Sequence, residues 1–238
     1  LPLEFFLPSL SSQGKVIRRA AYTLQYNSKH RQPDWVMYQL TRARAEGTLA
    51  APENWRADKE TGANPVQPSD LQGSGYDRGL IVPAGDLRWS KAAAADAYLM
   101  SNVSPMKSAF RRGLWAELEK LTRQWAVQNE EVYVIAGPVL KENLPKVGKS
   151  GISAPEYFFK VILDNREPDL KAIAFILPNE STKQPLMSYA ASIDKVEEAT
   201  SLNLFPGLPD QVENALESKV NISGWTASSA DSTARGKL

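Results

Sequence analysis

The sequence predicts an α+β fold, with a central, mostly antiparallel sheet and helices on its faces. Three observations carry that prediction. Two strand-like runs, VIRRAAYTLQY (16–26) and WVMYQLT (35–41), flank a turn-rich stretch at 27–34, as paired strands of a hairpin do. Three further runs, EVYVIAGPVL (131–140), EYFFKVILD (156–164) and LKAIAFILP (170–178), are rich in β-branched and aromatic residues and bounded by Gly, Pro and Asn, which marks the central strands. Between the two groups, Leu114, Trp115, Leu118, Leu121 and Trp125 fall at offsets 0, 1, 4, 7 and 11, one apolar face at helical period.

The connecting segments follow from local chemistry. Residues 51–74 are polar and punctuated by Pro52, Gly62, Pro65, Pro68 and Gly73, a long surface connection. SKAAAADA favours a short helix, and AYLMSN then reads as a strand ending at Asn102. In SIDKVEEATSL, Asp194 precedes Glu197 by three residues in the manner of a capping box, so a helix is expected over about 195–201. LPDQVENALES repeats the spacing with Asp210 and Glu213, and two short helices close the fold. The tail SGWTASSADSTARGKL is small and polar and reads as loose. The expected organisation is an N-terminal extension over 1–15, one domain over 16–222 and a flexible tail over 223–238.

Composition excludes several classes of function. The 28 basic and 27 acidic residues leave a net charge of +1, so no overall field holds the chain to nucleic acid or an anionic membrane, and any polyanion site must come from local clustering. Absence of cysteine removes disulfides, thiolate metal sites and a thiol nucleophile. No apolar run reaches membrane-spanning length, so no membrane partner is expected. The opening LPLEFFLPSL lacks methionine, which fits either a processed, exported protein or a trimmed chain; it is too short and lacks the basic flank of a signal peptide, and a secreted or periplasmic location is the expectation. The single histidine, His30, sits in YNSKHRQPDW and reads as a solvated loop residue rather than a catalytic one.

One stretch is at odds with its own surroundings. SGYDRGLIVPAGD (74–86) holds an Asp-Arg-Gly turn of the kind that sits against phosphate, then places Leu80 and Ile81 where a reactive side chain belongs. Together with LMSNVSP (99–105), RGLWAELE (112–119) and VYVIAGPVL, it resembles the DNA/RNA non-specific endonuclease family, the sugar-non-specific nucleases with a ββα-metal site. The resemblance runs from about residue 16 to 220, because WVMYQLT, YFFKVILD, AIAFILPN and SIDKVEEATSL also match in order. It implies a ββα-metal finger beside the sheet, a Mg2+ cofactor, DNA or RNA as partner and a possible homodimer.

The same resemblance marks departures. The family places its general-base histidine after Asp-Arg-Gly, and here that position is Leu80, a hydrocarbon that cannot take a proton. The family's asparagine ligand to magnesium falls on Arg111, whose guanidinium has no acceptor and repels a cation. Met106 replaces a recurrent glutamine. Arg78 matches the arginine that contacts phosphate, Asn102 a site asparagine, Glu119 the carboxylate that orders metal-bound water, and Arg56 a further phosphate-contacting arginine. Without the family, Asp77 and Arg78 read as a salt-bridged turn, Asn102 as a strand end, Glu119 with Arg123 as a surface ion pair, and Leu80 and Ile81 as core. Three functions follow as expectations: a pseudonuclease that binds nucleic acid through an Arg78–Arg111 cation pair, an active Mg2+-dependent endonuclease using non-standard residues, and a protein-interaction scaffold.

Overall fold

The computed structural model describes residues 6–9, 14–50, 52–166 and 170–225. Strands β1 (Gly14–Arg18), β2 (Thr23–Asn27) and β3 (Gln32–Thr41) form a meander, followed by the short helix α1 (Arg42–Ala45). A hairpin of β4 (Asp77–Leu80) and β5 (Val103–Met106) encloses α2 (Lys91–Asp96) in its connection and leads into α3 (Ser108–Phe110) and α4 (Ala116–Gln128). Strand β6 (Glu131–Pro138) returns to the sheet, and β7 (Lys146–Val147) pairs with β8 (Ile152–Ser153). Strands β9 (Tyr157–Asp164), β10 (Lys171–Pro178) and β11 (Ala190–Ala191) then precede α5 (Ile193–Thr200) and α6 (Asp210–Glu217). The main sheet has seven strands in the order β1-β2-β3-β6-β9-β10-β11, every neighbour antiparallel. This is the α+β architecture expected from the sequence.

Alternation along the central strands divides the core. Val36, Tyr38 and Leu40 of β3, Val132, Val134 and Ala136 of β6, and Ile173, Phe175 and Leu177 of β10 face one layer, where Trp115, Leu118 and Trp125 of the helical segment pack. The intervening Trp35, Met37, Tyr133, Ile135, Ala172 and Ala174 face the opposite layer, against Ile193 and Val196 of α5. Phe6 joins this second layer, fully buried with its ring centroid 4.4 Å from that of Tyr133. Trp225 closes the first layer, its carbonyl accepting the Trp125 Nε1 proton at 2.6 Å. The remainder of the polar tail, 226–238, lies outside the described residues.

Several local expectations are corrected. The run 16–26 is two strands, because the chain turns at 19–22, where Arg19 N donates to the Tyr22 carbonyl. The Arg19 guanidinium reaches across to Asp58 and Glu60, which draws it out of any strand alternation. Asn102 does not end a strand. It closes a 3-10 turn at Met100–Asn102 that precedes β5. The cap of α5 is Ser192, whose extended backbone and hydroxyl receive Lys195 N; Asp194 is one residue inside the helix, and Pro209 occupies the cap position of α6. His30 is buried rather than solvated, because β7 and β8 fold over the hairpin turn and Ser153 Oγ lies 2.7 Å from His30 Nδ1.

Candidate functional site

The ββα finger is the hairpin β4–β5 with the helix behind it. Asp77 stands opposite Met106 and Leu80 opposite Val103. Beyond Met106 the chain enters α3 and a wide helical turn over Arg111–Trp115, broken at Gly113, whose φ of −98° and ψ of −112° are not helical. Trp115 Nε1 then donates to the Leu80 carbonyl at 3.2 Å and ties the helix to the strand. Leu80, Arg78 and Arg111 thereby become walls of one cleft of about 720 Å³, together with Trp55, Tyr76 and Asp77.

Arg78 lies over the Trp55 ring, 4.2 Å from its centroid, and Trp55 meets Tyr98 edge-on at 5.2 Å. Among the described residues no carboxylate pairs with Arg78, so its planar fork of donors is uncommitted. The turn-bridge reading of Asp77 and Arg78 fails: Asp77 Oδ2 accepts from Arg111 Nε at 2.8 Å instead. Partial burial pushes the Asp77 carboxyl up, but hydrogen bonds from Arg111 and Ser108 and the Arg111 charge hold it below the usual carboxylate range. Leu80 is half-buried and packs towards Val103 and Met100, while Ile81 is fully buried. Met106 is also fully buried, against Gly79, where any Cβ would collide with its side chain.

The other sequence-predicted residues do not reach this cleft. The Arg56 guanidinium turns to α2, donating to the Ala95 carbonyl at 2.5 Å and to Asp96 at 3.2 Å. Asn102 is fully buried, with its amide spent on Val82 N, Val82 O and the Ala97 carbonyl. That bonding closes the β4–β5 connection and holds the buried amide away from the lining of the cleft. Glu119 lies in a half-buried polar layer between α4 and the sheet. Its expected partner Arg123 pairs with Asp86 at 2.7 Å, and Asp86 also accepts from Tyr38 Oη. Burial pushes Glu119 up to about 7, against the opposing charge of Lys160.

Sequence reasoning missed Trp55, Tyr76 and Lys160. Trp55 adjoins Arg56 and Tyr76 adjoins Asp77, so each stood beside a residue singled out from the sequence without being given a role. Lys160 carries the plainer signal, a single cation within YFFKVILD at a position where alternation calls for an apolar residue. It is completely buried beneath Trp115, with Nζ 4.4 Å from the ring centroid and no hydrogen-bond partner among the described residues.

Comparison with known proteins agrees with this geometry. The family model for DNA/RNA non-specific endonucleases matches residues 4–211. A nuclease of Nostoc sp. is 30% identical over 222 residues, covering 89% of this chain and 81% of the relative. Mitochondrial endonuclease G of Bos taurus is 29% identical, covering 87% and 74%. A crystal structure of an EndoG/EndoGI complex superposes with a TM-score of 0.79 at 25% identity, covering 87% of this chain and 91% of that one. With a seven-stranded antiparallel sheet, a ββα finger and a family match across most of its length, the chain belongs to the DNA/RNA non-specific endonuclease family.

Proposed function

We propose that the chain uses the family cleft to bind the phosphodiester backbone of nucleic acid without hydrolysing it. The observation that carries this reading is Arg78: stacked on Trp55, it lines the cleft with no acidic partner among the described residues, together with Arg111. A guanidinium fork matches two phosphate oxygens, and a stacked, preoriented fork loses less entropy on binding. Tyr76 lines the same cleft with Lys107 Nζ 4.4 Å from its ring centroid, which adds a third cation beside the two arginines. Asp77 and Glu53 line the same cleft and oppose polyanion entry, so affinity depends on the arginines rather than on a general positive field.

Hydrolysis needs a proton acceptor for water and a cation for the developing charge. Neither fits the residues present. Leu80 accepts no proton, and the sole histidine is buried against Ser153 outside the cleft. At the family's ligand position Arg111 offers donors alone and is already bonded to Asp77, while the Asn102 amide is committed to backbone. Mg2+ therefore has no assigned place in this reading.

The test is fluorescence anisotropy of a labelled oligonucleotide titrated with the full chain at several salt concentrations. Arg78→Ala is expected to weaken binding by roughly 10-fold to 150-fold, the worth of one charge-assisted hydrogen-bonded contact, and to flatten the salt dependence by about one phosphate. Unchanged affinity in that variant, or no affinity for polyanions at low salt, would reject the proposal in favour of a scaffold role.

A further inference from the structure

A second cluster of chemistry lies on the other side of the sheet, between α5 and α6. Asp194 and Glu197, at i and i+3 on α5, share a helix face, and Glu217 ends α6. One carboxylate oxygen from each of the three lies within 4.8 Å of the others. Among the described residues no lysine or arginine forms an ion pair with any of them.

Three neighbouring carboxylates repel one another, and Glu217 is the most exposed to that cost. It is only 8% solvent-accessible, and its Oε1 is buried with no hydrogen-bond partner among the described residues. It also stands at the C-terminus of its helix, where the last carbonyls already concentrate negative charge. Burial and the neighbouring carboxylates push Glu217 up to about 7, so its charge is relieved either by a proton or by a bound cation. Glu197 Oε1 accepts Leu204 N at 2.6 Å, which orients its carboxylate and leaves the second oxygen for another partner.

We infer that Asp194, Glu197 and Glu217 form a divalent-cation site of calcium type that clamps α6 to α5. The fit is geometric. Calcium holds oxygens at about 2.4 Å, so ligands of one sphere stand up to about 5 Å apart, and three oxygens inside 4.8 Å fall within it. Buried Glu217 supplies the inner ligand and exposed Asp194 the outer one, leaving the solvent side open for the waters that complete a six- to eight-oxygen shell. The ion is structural, remote from the cleft, and independent of whether that cleft binds nucleic acid.

The experiment is isothermal titration of the chelator-treated full chain with Ca2+ at neutral pH, paired with thermal unfolding in Ca2+ and in chelator. A single saturable site and a Ca2+-dependent rise in Tm are expected. Glu217→Gln is expected to weaken binding by on the order of tenfold or more while leaving the cation-free Tm equal to or above that of the parent, because repulsion is relieved. Asp194→Asn, at an exposed position, should give a smaller loss of affinity and serves as a second reporter. No saturable Ca2+ binding by the parent chain, or binding untouched by both substitutions, overturns the site and leaves a proton-sharing carboxylate cluster.

Discussion

Asp77→Asn should strengthen nucleic-acid binding, an unusual direction for a substitution in an Asp-Arg-Gly motif. The Asp77 carboxylate holds Arg111 Nε at 2.8 Å in the wall of the cleft, so an incoming phosphate must compete with it and also approach its charge. At about 4 Å, two unit charges interact by about 1 kcal/mol in water and about 4 kcal/mol at an effective dielectric near 20. The two side chains are 31% and 37% exposed, which places the effect near the lower figure. Relief of about 1 kcal/mol corresponds to roughly fivefold tighter binding. Loss of so exposed an ion pair costs the fold at most about 1 kcal/mol, so the variant remains folded. Because Asp77 is held below the usual carboxylate range, it stays ionised at and above mildly acidic pH, and the gain should be constant there. Anisotropy of a labelled oligonucleotide at low salt measures it, and equal or weaker binding by Asp77→Asn would show that Arg111 is no phosphate contact.

Other outcomes follow from the polar layer and the core. Glu119, pushed up to about 7, carries a folded-state pKa above its unfolded value, so the native chain holds an extra proton between about 4.5 and 7. Stability from this group is therefore present at low pH and falls as pH rises through that window, and Glu119→Gln should remove that decline, measured as urea midpoints at acidic and mildly alkaline pH. Trp125→Ala opens a cavity between α4 and the sheet and strips the bond to the Trp225 carbonyl. A loss of about 3–5 kcal/mol is expected in chemical denaturation.

The large periodic elements were legible because burial on both faces of a sheet writes itself directly into the sequence. EVYVIAGPVL, EYFFKVILD and LKAIAFILP became β6, β9 and β10, and of the five apolar residues from Leu114 to Trp125 four are buried and Leu121 packs partly buried at the edge of the same face. Boundaries set by long-range contacts were not. The turn at 19–22 depends on Asp58 and Glu60, some forty residues away, and the 3-10 turn at Asn102 depends on the backbone of Val82 and Ala97. The histidine was misread for the same reason: polar neighbours imply a loop, but burial was decided by Ser153, distant in sequence. Within the site, Arg78, Leu80 and Arg111, singled out by motif spacing, line one cleft, whereas the orientation of Arg56 and the partner of Arg123 are matters of packing that spacing does not encode.

The most direct measurement is plasmid nicking by the purified, unmodified chain in Mg2+, run beside the chain carrying Leu80→His with Arg111→Asn. The account expects the unmodified chain to leave supercoiled DNA intact while retaining affinity for it, and cleavage to emerge only in the doubly substituted chain, since a restored general base alone is worth about a hundredfold to ten-thousandfold in rate. Nicking by the unmodified chain that stops on chelation would contradict it.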